Sequence, residues 1–156
     1  MAPDDIPEYK PDLLIIGIGN YYRGDDAAGI IIARSLREET PGSFVIKEES
    51  GEGASIMEAW KGFGSVILID AVSSGSAAGT IYRFEASKES IPADFFHYSS
   101  HSFSVAEAVE TARVLGELPG SLIIYGIEGK SYRTGAGLSP EVAAARIEQG
   151  PIERIW

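Results

Sequence analysis

Two adjacent aspartates in a glycine-bearing loop, Asp25 and Asp26, an aspartate closing an apolar run, Asp70, and a histidine just ahead of a helical stripe, His101, are the side chains of this 156-residue sequence best placed for chemistry. Glu49, Glu52 and Glu128 add carboxylates at comparable points. There is no cysteine and there are only two histidines, His97 and His101. Thiol nucleophiles, disulfides, cysteine-based zinc sites and iron–sulfur clusters are therefore excluded. Any metal must sit on nitrogen and oxygen, and position favours His101 over His97 as the nitrogen ligand. Two carboxylates and one imidazole suit zinc, nickel or a similar ion and leave open positions for water or a substrate group. These residue types do not choose the metal. Each also has a plainer use: Asp26 as a helix cap, Asp70 as a hydrogen-bond acceptor for the turn at residues 72–74, His101 as a loop residue.

Competing chemistries fit less well. Gly17-Ile18-Gly19 after a first strand invites a dinucleotide reading, but Tyr22 stands where the third glycine belongs, no GxxxxGK occurs, and the two aspartates would repel a pyrophosphate. No GxSxG or HExxH is present. Ser99, Ser100 and Ser102 flank His101 and serve more economically as caps and loop hydrogen-bonders. With 13 basic and 23 acidic residues, a net charge of −10, the chain is a poor candidate for nucleic-acid binding. Its opening ten residues hold three acids and no basic n-region, and no apolar run approaches the ~20 residues of a membrane span. A soluble cytoplasmic protein is expected.

Short strands alternating with helices must position these groups. LLIIGIG from Leu13 is continuous and apolar, as for a strand buried on both faces. A helix over residues 27–37 follows, with Asp25 or Asp26 available as N-cap. Residues 44–47 form a second strand, SGEGAS a loop, and Ser55 and Glu58 have capping-box spacing on a short helix. Residues 65–71 and 122–127 are further buried strands. Residues 79–85 alternate and read as an edge strand, a candidate for antiparallel pairing. Ser104 and Glu107 have capping-box spacing ahead of a stripe of Val105, Ala108, Val109, Ala112 and Leu115. Ser139-Pro140 opens a last helix, which Gly150-Pro151 stops. The expected fold class is α/β: a three-layer α/β/α sandwich on a mostly parallel twisted sheet. Residues 1–11, with three prolines, are expected to be an extended tail, and 12–156 a single domain. In such a sheet ligands bind beyond the carboxyl ends of the strands, where Asp25, Asp26, Glu49, Glu52, Asp70, His101 and Glu128 all fall.

GIGNYYRGDDAAG (residues 17–29) resembles the GxGN…DDxxG opening of the hydrogenase maturation proteases, endopeptidases that trim the C-terminus of the nickel–iron hydrogenase large subunit. ILIDAV (67–72), SSHSFSVAEAV (99–109), LIIYGIEG and the GLSP helix start extend the likeness to nearly all of residues 13–149. The resemblance implies that Asp26, Asp70 and His101 match the family's three metal-binding positions, the first often Glu in the family. It implies an endopeptidase whose partner is the large-subunit precursor and whose nickel arrives with that substrate, adventitious zinc, cadmium or nickel binding in isolation; a monomer is expected. Metal sensing and catalysis would then share these three side chains. Glu49 and Glu52 align equally with an acid some members carry, and neither is assigned. Two other readings use the same ligands: a conventional zinc-type metallohydrolase of small peptides or amides, and a non-catalytic metal-sensing, chaperone-like binding module.

Overall fold

A computed structural model describes residues 11–92, 95 and 101–147. Five strands form one sheet in the order β2-β1-β3-β5-β4: β1 (Leu13–Ile18), β2 (Val45–Glu49), β3 (Ser65–Val72), β4 (Ile81–Glu85) and β5 (Ser121–Glu128). β1, β2, β3 and β5 run parallel, and β4 closes one edge antiparallel to β5. The apolar runs are continuous because both faces are covered. Leu14, Ile16, Ile18, Val66, Leu68, Leu122 and Ile124 pack toward α2 (Gly53–Trp60) and α3 (Val105–Leu115), while Leu13, Ile15, Ile67, Ile69, Ile123 and Ile127 pack toward α1 (Ala28–Glu39) and α4 (Pro140–Ala143). Each fully buried Leu or Ile contributes about 1.5–3 kcal/mol relative to exposure, so these two clusters dominate the fold's stability. β4, half-buried except at the exposed Arg83, lies at the edge as expected.

Local details depart from the sequence expectations. α1 is preceded by a 3-10 turn at Gly24–Ala27, its N-cap is Ala27, and neither aspartate caps it. β2 extends through Glu49, so Glu48 and Glu49 are strand residues. The expected Ser55/Glu58 box on α2 is not made: Glu52 is the N-cap, accepting from the backbone N–H of Ala54 and Ser55, and Glu58 pairs with Lys61 instead. The Ser104/Glu107 box on α3 is made, but Leu115 is 60% exposed, because the helix ends there and Gly116 turns the chain away. α4 is one turn long, and the side chain of its N-cap, Ser139, goes to Asp25 instead of to the helix's own N–H groups. Residues 1–10, His97, Ser99, Ser100 and the stop at Gly150-Pro151 lie outside the described residues. Asp12, where order was expected to begin, is anchored: its side chain accepts from Gly64 N and its carbonyl from Ser65 N.

Candidate active site

The chain leaves β1 toward β2 on one side and enters β3 on the other, so the sheet's switch point lies between β1 and β3. In open sheets of this kind ligands bind at such a point, beyond the carboxyl ends of the strands. Asp26 reaches it from the turn after β1. Asp70 reaches it from β3, one residue beyond Ile69, the last that pairs with β1, while β3 continues beside β5 to Val72. By strand alternation Asp70 shares the face of Leu68 and Val72, the face that carries α2 and α3. His101 stands just ahead of α3 on that side, beside the β2–α2 loop; a Cβ at Gly51 would lie 3.6 Å from its Cδ2.

The glycines of the opening loop make this approach possible. Gly29 lies so close to β3 that a Cβ would stand 2.1 Å from Ile69 O, and at Gly19, φ +141°, one would stand 1.8 Å from Asp26 O. Only without those side chains can the start of α1 rest on the strand ends and bring Asp26 beside Asp70. Asp26 is then fixed by accepting from Asn20 N at 2.9 Å. Asn20 is a site residue that sequence reasoning missed, since a backbone N–H leaves no side-chain signal.

Electrostatically the pair is uncomfortable. Burial raises the Asp26 carboxyl above its ordinary value, against the lowering by Asn20 N–H and the charges of Arg23 and His101. Asp70 is only 9% exposed, and burial followed by the charge of Asp26 pushes it well above the ordinary carboxylate range, opposed by the Ala71 N–H. Two carboxylates in such surroundings favour either protonation or an incoming cation. His101 is within electrostatic reach of Asp26 and of Glu52. Among the described residues, no three of His, Asp and Glu converge closely enough to hold a metal ion by themselves.

The family model for hydrogenase maturation proteases matches residues 37–149. The chain belongs to that family. Its members are endopeptidases, hydrolases acting on peptide bonds. The match takes in Asp70 and His101 but begins after Asp26. The chain is 29% identical over 136 residues to the hydrogenase 2 maturation protease of Escherichia coli strain K12, covering 85% of this chain and 82% of that one. Among solved structures it is similar to an endopeptidase from Escherichia coli, at 27% identity and TM-score 0.71, covering 85% of this chain and 83% of the other. It is also similar to the NiFe hydrogenase maturation protease HybD of Thermococcus kodakarensis, at 25% identity and TM-score 0.64, covering 85% and 89%.

Within this maturation-protease fold the remaining acids of the rim divide by role. Asp25 is fully buried and turned away from Asp26. It accepts from Lys130 N, Ser131 N, Ser139 N and the Ser139 hydroxyl, and clamps the loop after β5. Burial alone would raise its carboxyl, but these donors outweigh it and hold the group below its ordinary value. Glu128 is also buried and accepts from Ser74 N, Ser74 Oγ and Gly75 N, fixing the loop that follows β3. Glu52 caps α2. Glu49 lies at the end of β2, where burial raises its carboxyl, the charge of Lys47 lowers it and Glu52 raises it further. Its carbonyl receives Gly19 N. Asp25, Glu52 and Glu128 thus build the rim, and Asp26 and Asp70 are the carboxylates brought together within it.

Proposed function

We propose that this chain removes the C-terminal extension from the precursor of a nickel–iron hydrogenase large subunit, with Asp26, Asp70 and His101 completing the coordination of nickel carried by that substrate. The observation that carries the reading is the raised carboxylate pair at the switch point. Holding Asp26 and Asp70 together in low-dielectric surroundings disfavours their charged forms, and a divalent cation delivered between them relieves both burial and mutual repulsion. His101 supplies an imidazole on the same side. Family membership supports the substrate class, and the names of the relatives point the same way.

The hydrolytic power would come from the substrate's own metal, by polarising the scissile carbonyl or activating a water. No cysteine exists to serve as nucleophile, and the Ser104 hydroxyl is committed to Glu107 in the cap of α3. The protein's part is to recognise the metal and so place the adjacent peptide bond, a step that makes cleavage depend on prior nickel insertion. The same reading places the enzyme in the cytoplasm; among the described residues no helix is long and apolar enough to cross a membrane.

Intact-mass measurement of a nickel-loaded and a nickel-free precursor after incubation tests this. The loaded precursor is expected to shorten and the nickel-free one to stay intact. Folded Asp26→Asn, Asp70→Asn and His101→Ala variants should each lose activity by at least about a hundredfold. Wild-type rates in those variants would overturn the ligand assignment, and equal cleavage without nickel would overturn the metal dependence.

A further inference from the structure

The loop between β1 and the 3-10 turn holds two aromatic side chains that the core does not use. Tyr21 is 46% exposed and Tyr22 74%. Their rings nevertheless pack edge to face, with centroids 5.2 Å apart and planes at 87°. The Arg34 guanidinium lies 4.8 Å from the centroid of the Tyr21 ring, and it is held in turn by a two-pronged contact with Glu48, both bonds 2.7 Å. The backbone is fixed as well. Tyr22 N donates to Asn20 Oδ1, Arg23 N to Asn20 O, and Gly135 N to Tyr22 O. Asn20 N is the group that Asp26 holds, so the aromatic pair and the candidate site belong to one braced loop.

Solvated tyrosines ordinarily keep their rotamer freedom, and ordering them costs free energy that nothing in the core repays here. An exposed ring already fixed in place loses little on binding, which is the condition for an aromatic hot spot. We propose that Tyr21 and Tyr22 form a docking platform for the substrate polypeptide, the Tyr22 ring receiving a bulky apolar side chain near the segment presented to Asp26, Asp70 and His101. This rests on the precursor-processing reading above. An apolar occupant is favoured over a cationic one because Arg34 already lies against Tyr21 and Arg23 follows Tyr22 directly, so an incoming lysine or arginine would meet like charge.

Steady-state cleavage of nickel-loaded precursor by wild type, Tyr22→Ala, Tyr22→Leu and Tyr22→Phe tests the platform, with sedimentation of the free enzymes alongside. Tyr22→Ala is expected to raise KM about tenfold while kcat stays within about twofold, and both Leu and Phe to restore most of the loss. An unchanged KM in Tyr22→Ala would overturn the proposal. Rescue by Phe without rescue by Leu would overturn the apolar occupant. A wild-type dimer that Tyr22→Ala converts to monomer with KM unchanged would assign the rings to self-association instead. Absence of any cleavage by wild type would count against the precursor-processing reading, whereas wild-type cleavage with an indifferent Tyr22 would remove the docking inference alone.

Discussion

Asp25 and Asp26 share an identity and a loop, yet their surroundings give them opposite duties, and substitution should separate them. Asp25 collects three backbone N–H groups and a hydroxyl in a fully buried position. Asp25→Asn would turn an amide NH2 toward those donors and leave at least one unpaired, at a cost of about 2–3 kcal/mol. For a domain of this size that corresponds to a fall in Tm of roughly 5–10 °C. Asp26→Asn keeps an oxygen for Asn20 N and removes the charge that raises Asp70. Its Tm is expected to match or exceed that of wild type while precursor cleavage is lost. Thermal unfolding of the two variants beside a cleavage assay checks both halves, and a stable, inactive Asp25→Asn would reverse the assignment of roles. The sequence makes both residues candidates and cannot rank them. The partners of Asp25 lie 105 to 114 positions further along the chain, so its clamp exists only once the loop after β5 has folded back.

α1 matters to the site through how closely it approaches the sheet, and Gly29 sets that distance. Gly29→Ala would drive a Cβ into the Ile69 carbonyl, a backbone atom that cannot step aside without moving β3. The expected cost is about 2–3 kcal/mol. Cleavage should fall with it, since Asp26 lies in the 3-10 turn that leads into α1 and Asp70 follows Ile69. Thermal unfolding and kcat/KM report the two effects, and a variant with wild-type stability would show that the helix can shift freely. The tie between α1 and β2 carries a pH dependence. The hydrogen bonds from Arg34 hold Glu48 below its ordinary 4.5, against desolvation. A carboxyl lowered by folding adds stability above its unfolded value and loses that contribution as pH falls through the folded one. Wild type should therefore exceed Glu48→Gln in Tm at neutral pH by a small, salt-sensitive margin, and the two should converge in acid below the Glu48 value. A gap that persists there would point to packing instead of charge. At this scale much was legible beforehand. Continuous apolar runs at β1, β3 and β5 mark strands covered on both faces, alternation marks β4 as an edge, and Ser104 with Glu107 marks the start of α3. Glu52 as the cap of α2 was not, because an acidic side chain in a glycine loop reads equally as a solvated charge. Nor was the use of the Ser139 side chain, which goes to Asp25 although Ser139 is the N-cap of α4.

For the molecule as a whole, the proposed function calls for a site that its substrate completes. The switch point brings Asp26 and Asp70 together, both with raised carboxyls, yet among the described residues no three potential ligands converge. Resemblance pointed to the three residues, but their spacing and protonation depend on burial, which no motif encodes. The consequence is measurable by linkage. A ligand at a hundred times its Kd stabilises the folded state by about 2.7 kcal/mol, which here would raise Tm by roughly 5–10 °C. Nickel alone, added to the isolated chain at tens of micromolar, is expected to move Tm by less than about 2 °C, because the proposed function leaves part of the metal's coordination to the substrate. That shift should vanish in Asp70→Asn. A rise of 5–10 °C at the same concentration would instead indicate a preformed tight site, as expected of a metallohydrolase with its own ion. Weak binding of free nickel together with strict dependence of cleavage on nickel in the precursor would place the missing ligands on the substrate, so that recognition of the metal and recognition of the polypeptide become one event.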